Sequence, residues 1–235
     1  MSDWQPRVFW KTAEAIETDA GHEVRLDGRP VRTPAKTQLV LPTAALAAAI
    51  CQEWQAQEEV VDPGKMPLTR TANSVLDKVM PQQAGVAEVI AEYGGADLLC
   101  YRASGPSELV ARQAEAWDPL LKWAEEHLDA PLRVGEGVVH VAQPAESLAA
   151  LRARVLKLSP WQLAAFHDLV ALSGSLVIGF AATQNKLPVE ELWQTSRIDE
   201  TWQIEQWGED DEATATAAVK QAAFLDAHRF LELCK

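Results

Sequence analysis

The stretch Ser196-Arg197-Ile198-Asp199-Glu200-Thr201-Trp202-Gln203-Ile204-Glu205-Gln206-Trp207-Gly208-Glu209-Asp210-Asp211-Glu212 joins a helical pattern to an acidic tip. At helical spacing Val189, Trp193, Arg197, Glu200, Ile204 and Trp207 fall on one stripe, which predicts a single amphipathic helix running on from Pro188. Arg197 and Glu200 lie one turn apart within that stripe. They either pin the helix as an internal pair or leave one charge for a partner. Gly208 then supplies the positive φ that closes a helix. Glu209, Asp210, Asp211 and Glu212 follow, and a helix dipole accounts more comfortably for one or two acids in a first turn than for four. Trp202 is out of phase with the stripe and is expected to be exposed beside this tip. Tryptophans next to an Arg–Glu pair and an acidic run point to a protein-docking surface and not to a catalytic pocket.

Working outward, the neighbouring sequence is mostly helical. A last helix is predicted from about Asp211 to Leu233, with Phe224, Leu225, Phe230 and Leu231 inward. Upstream, Ser159-Pro160-Trp161-Gln162 is a capping box with proline at the first helical position. The helix it opens is apolar almost all round and belongs at the centre of a bundle. Leu169 to Ala182 is apolar but interrupted by Ser173, Gly174, Ser175 and Gly179, so it reads as a buried helix pair. It falls short of the ~18 uninterrupted residues a membrane span needs. A helix from Ser107 to Leu128 is interrupted at Asp118-Pro119, where Asp118 is read as the N-cap of a new or kinked helix. Leu132 to Val141 alternates around Gly135 and Gly137 and could be a hairpin.

The first third differs. Residues 8 to 41 read as β, with Asp27-Gly28 as the tight turn of a hairpin and Pro30 and Pro34 limiting the return strand to an edge or to short pieces. Thr43 is an N-cap for a helix to about Gln57, and a second helix runs from Leu68 to Val79 until Pro81. The expected class is therefore α+β: a small N-terminal α+β domain with a β-hairpin over residues 1–81, then a helical bundle over residues 82–235.

Composition narrows the function. Hydrophobic residues make up 48% of the 235, enough to bury a core, and 34 acids against 21 Lys plus Arg leave a net charge of -13. A phosphate backbone needs the opposite field, so no nucleic-acid partner is expected. Cys51, Cys100 and Cys234 are odd in number and far apart, which suggests neither a disulfide framework nor a zinc site and fits a reducing compartment. Met1 to Trp10 carries no leader pattern, and no membrane insertion is expected.

No catalytic set assembles. His22-Glu23 lacks a second histidine at helical spacing and reads as a hairpin-surface pair. Glu125-Glu126-His127 are consecutive and splay around a helix. There is no phosphate-binding glycine loop, so no cofactor is expected. His167-Asp168 with Ser173 leaves open a small-molecule hydrolase if the three converge in a pocket, although Ser173-Gly174-Ser175 is no nucleophile elbow. A structural adaptor with another partner is a further reading.

Several motifs lie in a consistent order along the chain. They are Phe9-Trp10-Lys11, Leu26 through Pro34, Glu53-Trp54 with Gln57, Met66-Pro67-Leu68-Thr69, Cys100-Tyr101-Arg102-Ala103, Trp117-Asp118-Pro119, Ser173-Gly174-Ser175, and the block from Ser196-Arg197 to Glu212-Ala213. Together they resemble the assembly chaperones of the F-type ATP synthase catalytic head, the family that binds the alpha subunit. The resemblance implies an N-terminal α+β domain with a C-terminal orthogonal helical bundle, no enzymatic activity and no cofactor. It also implies a monomer that shields the unassembled alpha subunit from aggregation, through the surface later taken by a beta subunit. Family members depend on an acidic residue near the Trp-Gly motif, for which Glu209, Asp210, Asp211 and Glu212 are the candidates. Trp202, Trp207, Arg197 and Glu200 complete the expected contact set. Eukaryotic relatives carry mitochondrial extensions. This chain starts almost at the family core, as a bacterial, cytoplasmic version would.

Overall fold

The computed structural model describes residues 7–235; Met1 to Pro6, part of the stretch read as lacking a leader, lie outside the described residues. The chain divides into two compact units. The first comprises residues up to Gln83 together with Pro160–Ala164 and Arg229–Lys235.

In this first unit β1 (Ala13–Thr18) pairs antiparallel with β2 (Gly21–Leu26) along its whole length. The other edge of β2 is shared by two short strands, β3 (Arg29–Pro30) and β4 (Val40–Leu41). The turn between β2 and β3 is Asp27-Gly28, at φ 46° and 79°, so both central residues take the left-handed conformation that a two-residue hairpin demands. Pro30 costs the ladder no bond, because the next donor to β2 is Val31, whose N–H donates to Val24 O at 2.9 Å. Glu23 is not a surface residue: it is buried, with Arg25 at 3.1 Å and the Gln38 amide at 2.6 Å.

Helix α1 (Ala44–Gln55) begins at Thr43, whose hydroxyl accepts from Leu46 N at 3.1 Å and donates to Leu233 O at 2.5 Å. Helix α2 (Pro67–Ser74) continues through a wider π turn at Val75–Val79. Its first residues bring no capping side chain of their own. Glu53 of α1 serves instead, accepting from Leu68 N at 2.7 Å and Thr69 N at 2.8 Å. A carboxylate there satisfies two orphan donors and faces the positive end of the helix dipole. The motif pair Glu53-Trp54 and Met66-Pro67-Leu68-Thr69 is thus one structural device. Leu39, Leu41, Leu46, Ile50 and Leu68 form the core of this unit, and Trp161 stacks on Phe230 within it.

The second unit holds Ala84–Ser159 and Ala165–His228. Helix α3 (Gln83–Ala91) leads to a 3-10 turn at Leu98–Cys100 and to β5 (Tyr101–Arg102). Helix α4 (Ser107–Leu128) is unbroken and passes straight through Pro119, so Asp118 is not an N-cap. The lost hydrogen bond, about 3 kcal/mol, is outweighed by burial of Trp117, Leu120, Leu121, Trp123 and Ala124 around it. Asp118 instead pairs with Arg102 at 2.7 Å. Nor does Leu132 to Val141 form its own hairpin. Its two-residue strand β6 (Gly135–Glu136) pairs in parallel with β5, and Gly137 N donates to Arg102 O at 2.8 Å.

Helices α5 (Ala145–Val155), α6 (Pro160–Ser173) and α7 (Leu176–Thr183) follow. The last two form the buried pair expected from the interrupted apolar run. Gly174 turns the chain at φ 71°, and Ser175 Oγ caps α7 by accepting from Ile178 N at 3.0 Å. Asp97 is fully buried and caps two elements at once, accepting from Leu99 N and Val177 N, each at 3.0 Å. Gly179 is required by close packing, because a Cβ there would stand 2.6 Å from Val170 Cγ2. Helix α8 (Val189–Ser196) packs through Trp193, whose ring lies 5.6 Å from that of Phe224. Helices α9 (Ile198–Trp207) and α10 (Asp211–Leu233) complete the unit, the end of α10 belonging to the first. Among the described residues no helix is long and apolar enough to cross a membrane.

Candidate partner-binding surface

Where one continuous helix is predicted through Ser196 and Arg197, the structure has two. Arg197, at φ −113° and ψ 17°, closes α8 and opens α9. The break is held from outside the segment: Trp117 Nε1 donates to Thr195 O at 2.8 Å, taking a carbonyl that a continuing helix would use. The Arg197 guanidinium lies 5.6 Å from the Trp193 ring centre and pairs with Glu200 at 2.5 Å. Arg197 and Glu200 are therefore joined to each other. Their side chains are 24% and 45% exposed, a rim pair that contributes at most about 1 kcal/mol.

The break shifts the helical phase, and this changes what surrounds Trp202. In α9, Ile198 is buried, Asp199 accepts from the Gln113 amide at 2.5 Å, and Glu205 pairs with Arg112 at 2.8 Å. The Arg112 guanidinium also covers the Trp202 ring at 5.0 Å. Its bond holds the Glu205 carboxyl below the usual glutamate range. Trp202, expected to be exposed, is half-buried under Arg112. Ile204 and Trp207 face outward, and Trp207, one of the expected contact residues, is 79% exposed. Gly208 ends the helix at φ 90°, as its position predicts.

Two grooves flank these elements. The first, about 370 Å³, is lined by Trp202 and Trp207 with Tyr101, Pro106, Leu109 and Val138, and carries the carboxylate of Asp199. The second, about 410 Å³, is lined by Arg197, Asp210, Glu212, Thr216 and Lys220 and is polar. The eight residues expected from sequence thus divide. Trp202 and Trp207 share one groove; Arg197, Asp210 and Glu212 share the other, with Glu200 held on Arg197. Glu209 and Asp211 are exposed and line neither. Asp210 has a structural task as well: its Oδ1 accepts from Ala213 N at 2.7 Å and caps α10.

Sequence reasoning missed Arg112, Gln113 and Val138. Gln113 stands out only as a polar residue on an apolar stripe. It is 1% exposed and bridges Ala103 N to Asp199. Arg112 carries no local signal, since its partners lie far off in the chain. Val138 follows Gly137 in what reads as a strand, yet it is 98% exposed.

The sequence profile of the ATP12 chaperone protein family matches residues 7–125. The chain belongs to the ATP12 chaperone family. This is the ATP synthase assembly family that the motifs from Phe9 to Ala213 resemble, and its members are chaperones, not enzymes. The matched stretch ends within α4, but similarity extends further. The crystal structure of Atp12 from Paracoccus denitrificans is 49% identical, superposes with a TM-score of 0.96, and covers 99% of this chain and 100% of its own. A putative chaperone from Agrobacterium tumefaciens is 41% identical with a TM-score of 0.94, over 98% of this chain and 87% of that one. The mitochondrial protein atp12 of Schizosaccharomyces pombe is 24% identical over 219 residues, 88% of this chain and 75% of the relative. These matches bear out the α+β class with a C-terminal helical bundle.

The hydrolase reading fails on geometry. His167 and Asp168 bond to each other at 2.9 Å and are each 48% exposed. Ser173 is buried, and its hydroxyl donates to Leu169 O of its own helix at 2.6 Å. A histidine at the surface cannot deprotonate a buried hydroxyl already committed elsewhere. Among the described residues no cluster of three or more His, Cys, Asp or Glu could hold a metal ion.

Proposed function

We propose that this chaperone holds the unassembled alpha subunit of F-type ATP synthase, through α9 and the acidic turn after it, until a beta subunit takes over the same surface. The observation that carries the reading is Trp207: a large aromatic, 79% exposed, at a helix end directly before four acids. A monomeric protein gains nothing from leaving that ring in water, whereas tryptophans at interfaces commonly dominate the binding energy. Within this reading the client face that α9 and the acidic turn would match is partly apolar and partly basic. The net charge of -13 favours encounter with such a face and rejects acidic ones. Within the proposal the chain acts as a monomer in a bacterial cytoplasm.

The test is co-purification of tagged alpha subunit with the wild-type chaperone and with a triple variant carrying Glu209→Lys, Asp211→Lys and Glu212→Lys. Asp210 is left intact because it caps α10. The expected result is retention by the wild type and loss by the variant, with unchanged circular dichroism. Equal retention would remove the acidic turn from the site, and no retention by either would remove the alpha subunit as the client.

A further inference from the structure

We infer that the groove between α9 and the Gly135–Val139 loop is a clamp for one short client segment, an apolar side chain followed closely by a lysine or arginine. The inference rests on the proposed client and specifies which of its chemistry is gripped. The groove is lined by Trp202 and Trp207 of α9, by Pro106 and Leu109, and by Gly137 and Val138 of the loop. Val138 is 98% exposed and its neighbour Val139 75%, so the loop presents two valines to water. That loop is anchored and not floppy: β6 pairs with β5, Gly137 N donates to Arg102 O, and the Tyr101 hydroxyl lies 3.2 Å from His140 Nδ1.

Charge selects the occupant. Arg102 lines the groove, but its charge is matched by Asp118 at 2.7 Å. Asp199 also lines it, and there the bonded partner is the neutral amide of Gln113. The site therefore keeps one uncompensated negative charge beside an apolar slot, with Glu209 to Glu212 just beyond Trp207 in the chain. An apolar group alone would leave that carboxylate partly desolvated and unmatched; a cation beside it restores the balance. A volume of about 370 Å³ suits one or two side chains and not a folded surface.

The test places the photocrosslinker p-benzoylphenylalanine at Val138, and as a control at Val219, which is 71% exposed on α10. Each protein is co-expressed with tagged alpha subunit, irradiated and mapped by mass spectrometry. A crosslink from position 138, and not from 219, to an alpha-subunit segment with Lys or Arg within about three residues of an apolar one supports the clamp. In parallel, Val138→Asp and Asp199→Asn should each weaken alpha-subunit capture roughly tenfold, the loss expected of a central contact. Asp199→Asn keeps an acceptor for Gln113 and tests charge alone. Retained capture with no crosslink from 138, a crosslink to a second copy of the chaperone, or a target segment without a basic residue would each overturn the clamp while leaving the client assignment standing. Failure of the wild type to capture the alpha subunit would overturn both.

Discussion

Replacing Trp207 with alanine separates stability from binding. In the folded protein this ring is 79% exposed, so truncation removes little buried area and should alter stability by no more than about 0.5 kcal/mol. For a chain of this size that is a melting shift of roughly 1–2 °C. The same truncation at a binding hot spot costs about 2 kcal/mol or more, a loss of roughly 30-fold in affinity. Trp117 is the contrasting control. It is fully buried, its indole N–H donates to Thr195 O, and Arg102 lies over its ring at 5.2 Å. Trp117→Ala should cost about 3–5 kcal/mol and release the α8–α9 break. The assay is a biolayer titration of immobilised chaperone with alpha subunit, alongside thermal melts by circular dichroism. Binding by Trp207→Ala within threefold of wild type, with an unchanged melt, would refute the assignment of α9 to the interface.

Other expectations follow from single contacts. Gly179→Ala should lower stability by about 1–3 kcal/mol in urea unfolding, because the new methyl meets Val170 Cγ2 at 2.6 Å and Phe166 Cε2 at 3.0 Å. Asp210→Ala should cost about 1 kcal/mol through loss of the α10 cap, while Glu209→Ala should be neutral; chemical denaturation of the two distinguishes a capping acid from a spare one. Asp97 offers a pH test. Burial pushes its carboxyl above the ordinary 3.8, against hydrogen bonds from Ser175 and the Val177 and Leu99 amides. The folded state then keeps this proton to higher pH than the unfolded chain, so the stability it contributes is present in acid and is lost as pH rises above that value. Asp97→Asn, which stays neutral, should gain on the wild type in urea midpoints as pH rises above the ordinary carboxylate range; a constant difference would exclude a titrating Asp97 as the cause.

Elements with local instructions were legible in the sequence. Asp27-Gly28 specifies its hairpin through backbone conformation alone, Thr43 its helix start through one side-chain bond, and Gly208 the end of α9 before α10 begins at Asp211. What could not be read was written by distant residues. Pro119 argues locally for a break, yet Trp117 and Leu120 on either side are buried, and packing wins. Ser196-Arg197 argues locally for continuity, yet the Trp117 indole takes the Thr195 carbonyl and the helix ends there. From that one bond came the larger misreading, because a helical stripe projected across a break keeps the wrong phase. Trp202, expected to be exposed, lies under Arg112 for this reason. The acids survived as candidates because an exposed turn needs no phase.

Helix α9 has only ten residues, too few to persist alone in water. Arg112, Gln113 and the buried Ile198 hold it from the α4 side, while Gly208 and the Asp210 cap set its other end. The freedom of this segment is therefore surrendered during folding and not at encounter. A partner meeting Trp207 finds a ring carried on backbone that is already ordered, and little further backbone entropy is lost on the chaperone's side. Grip can then come from a small contact area. A subunit with a broader matching face can displace such a contact by offering more area, without having to unfold or rearrange the chaperone first.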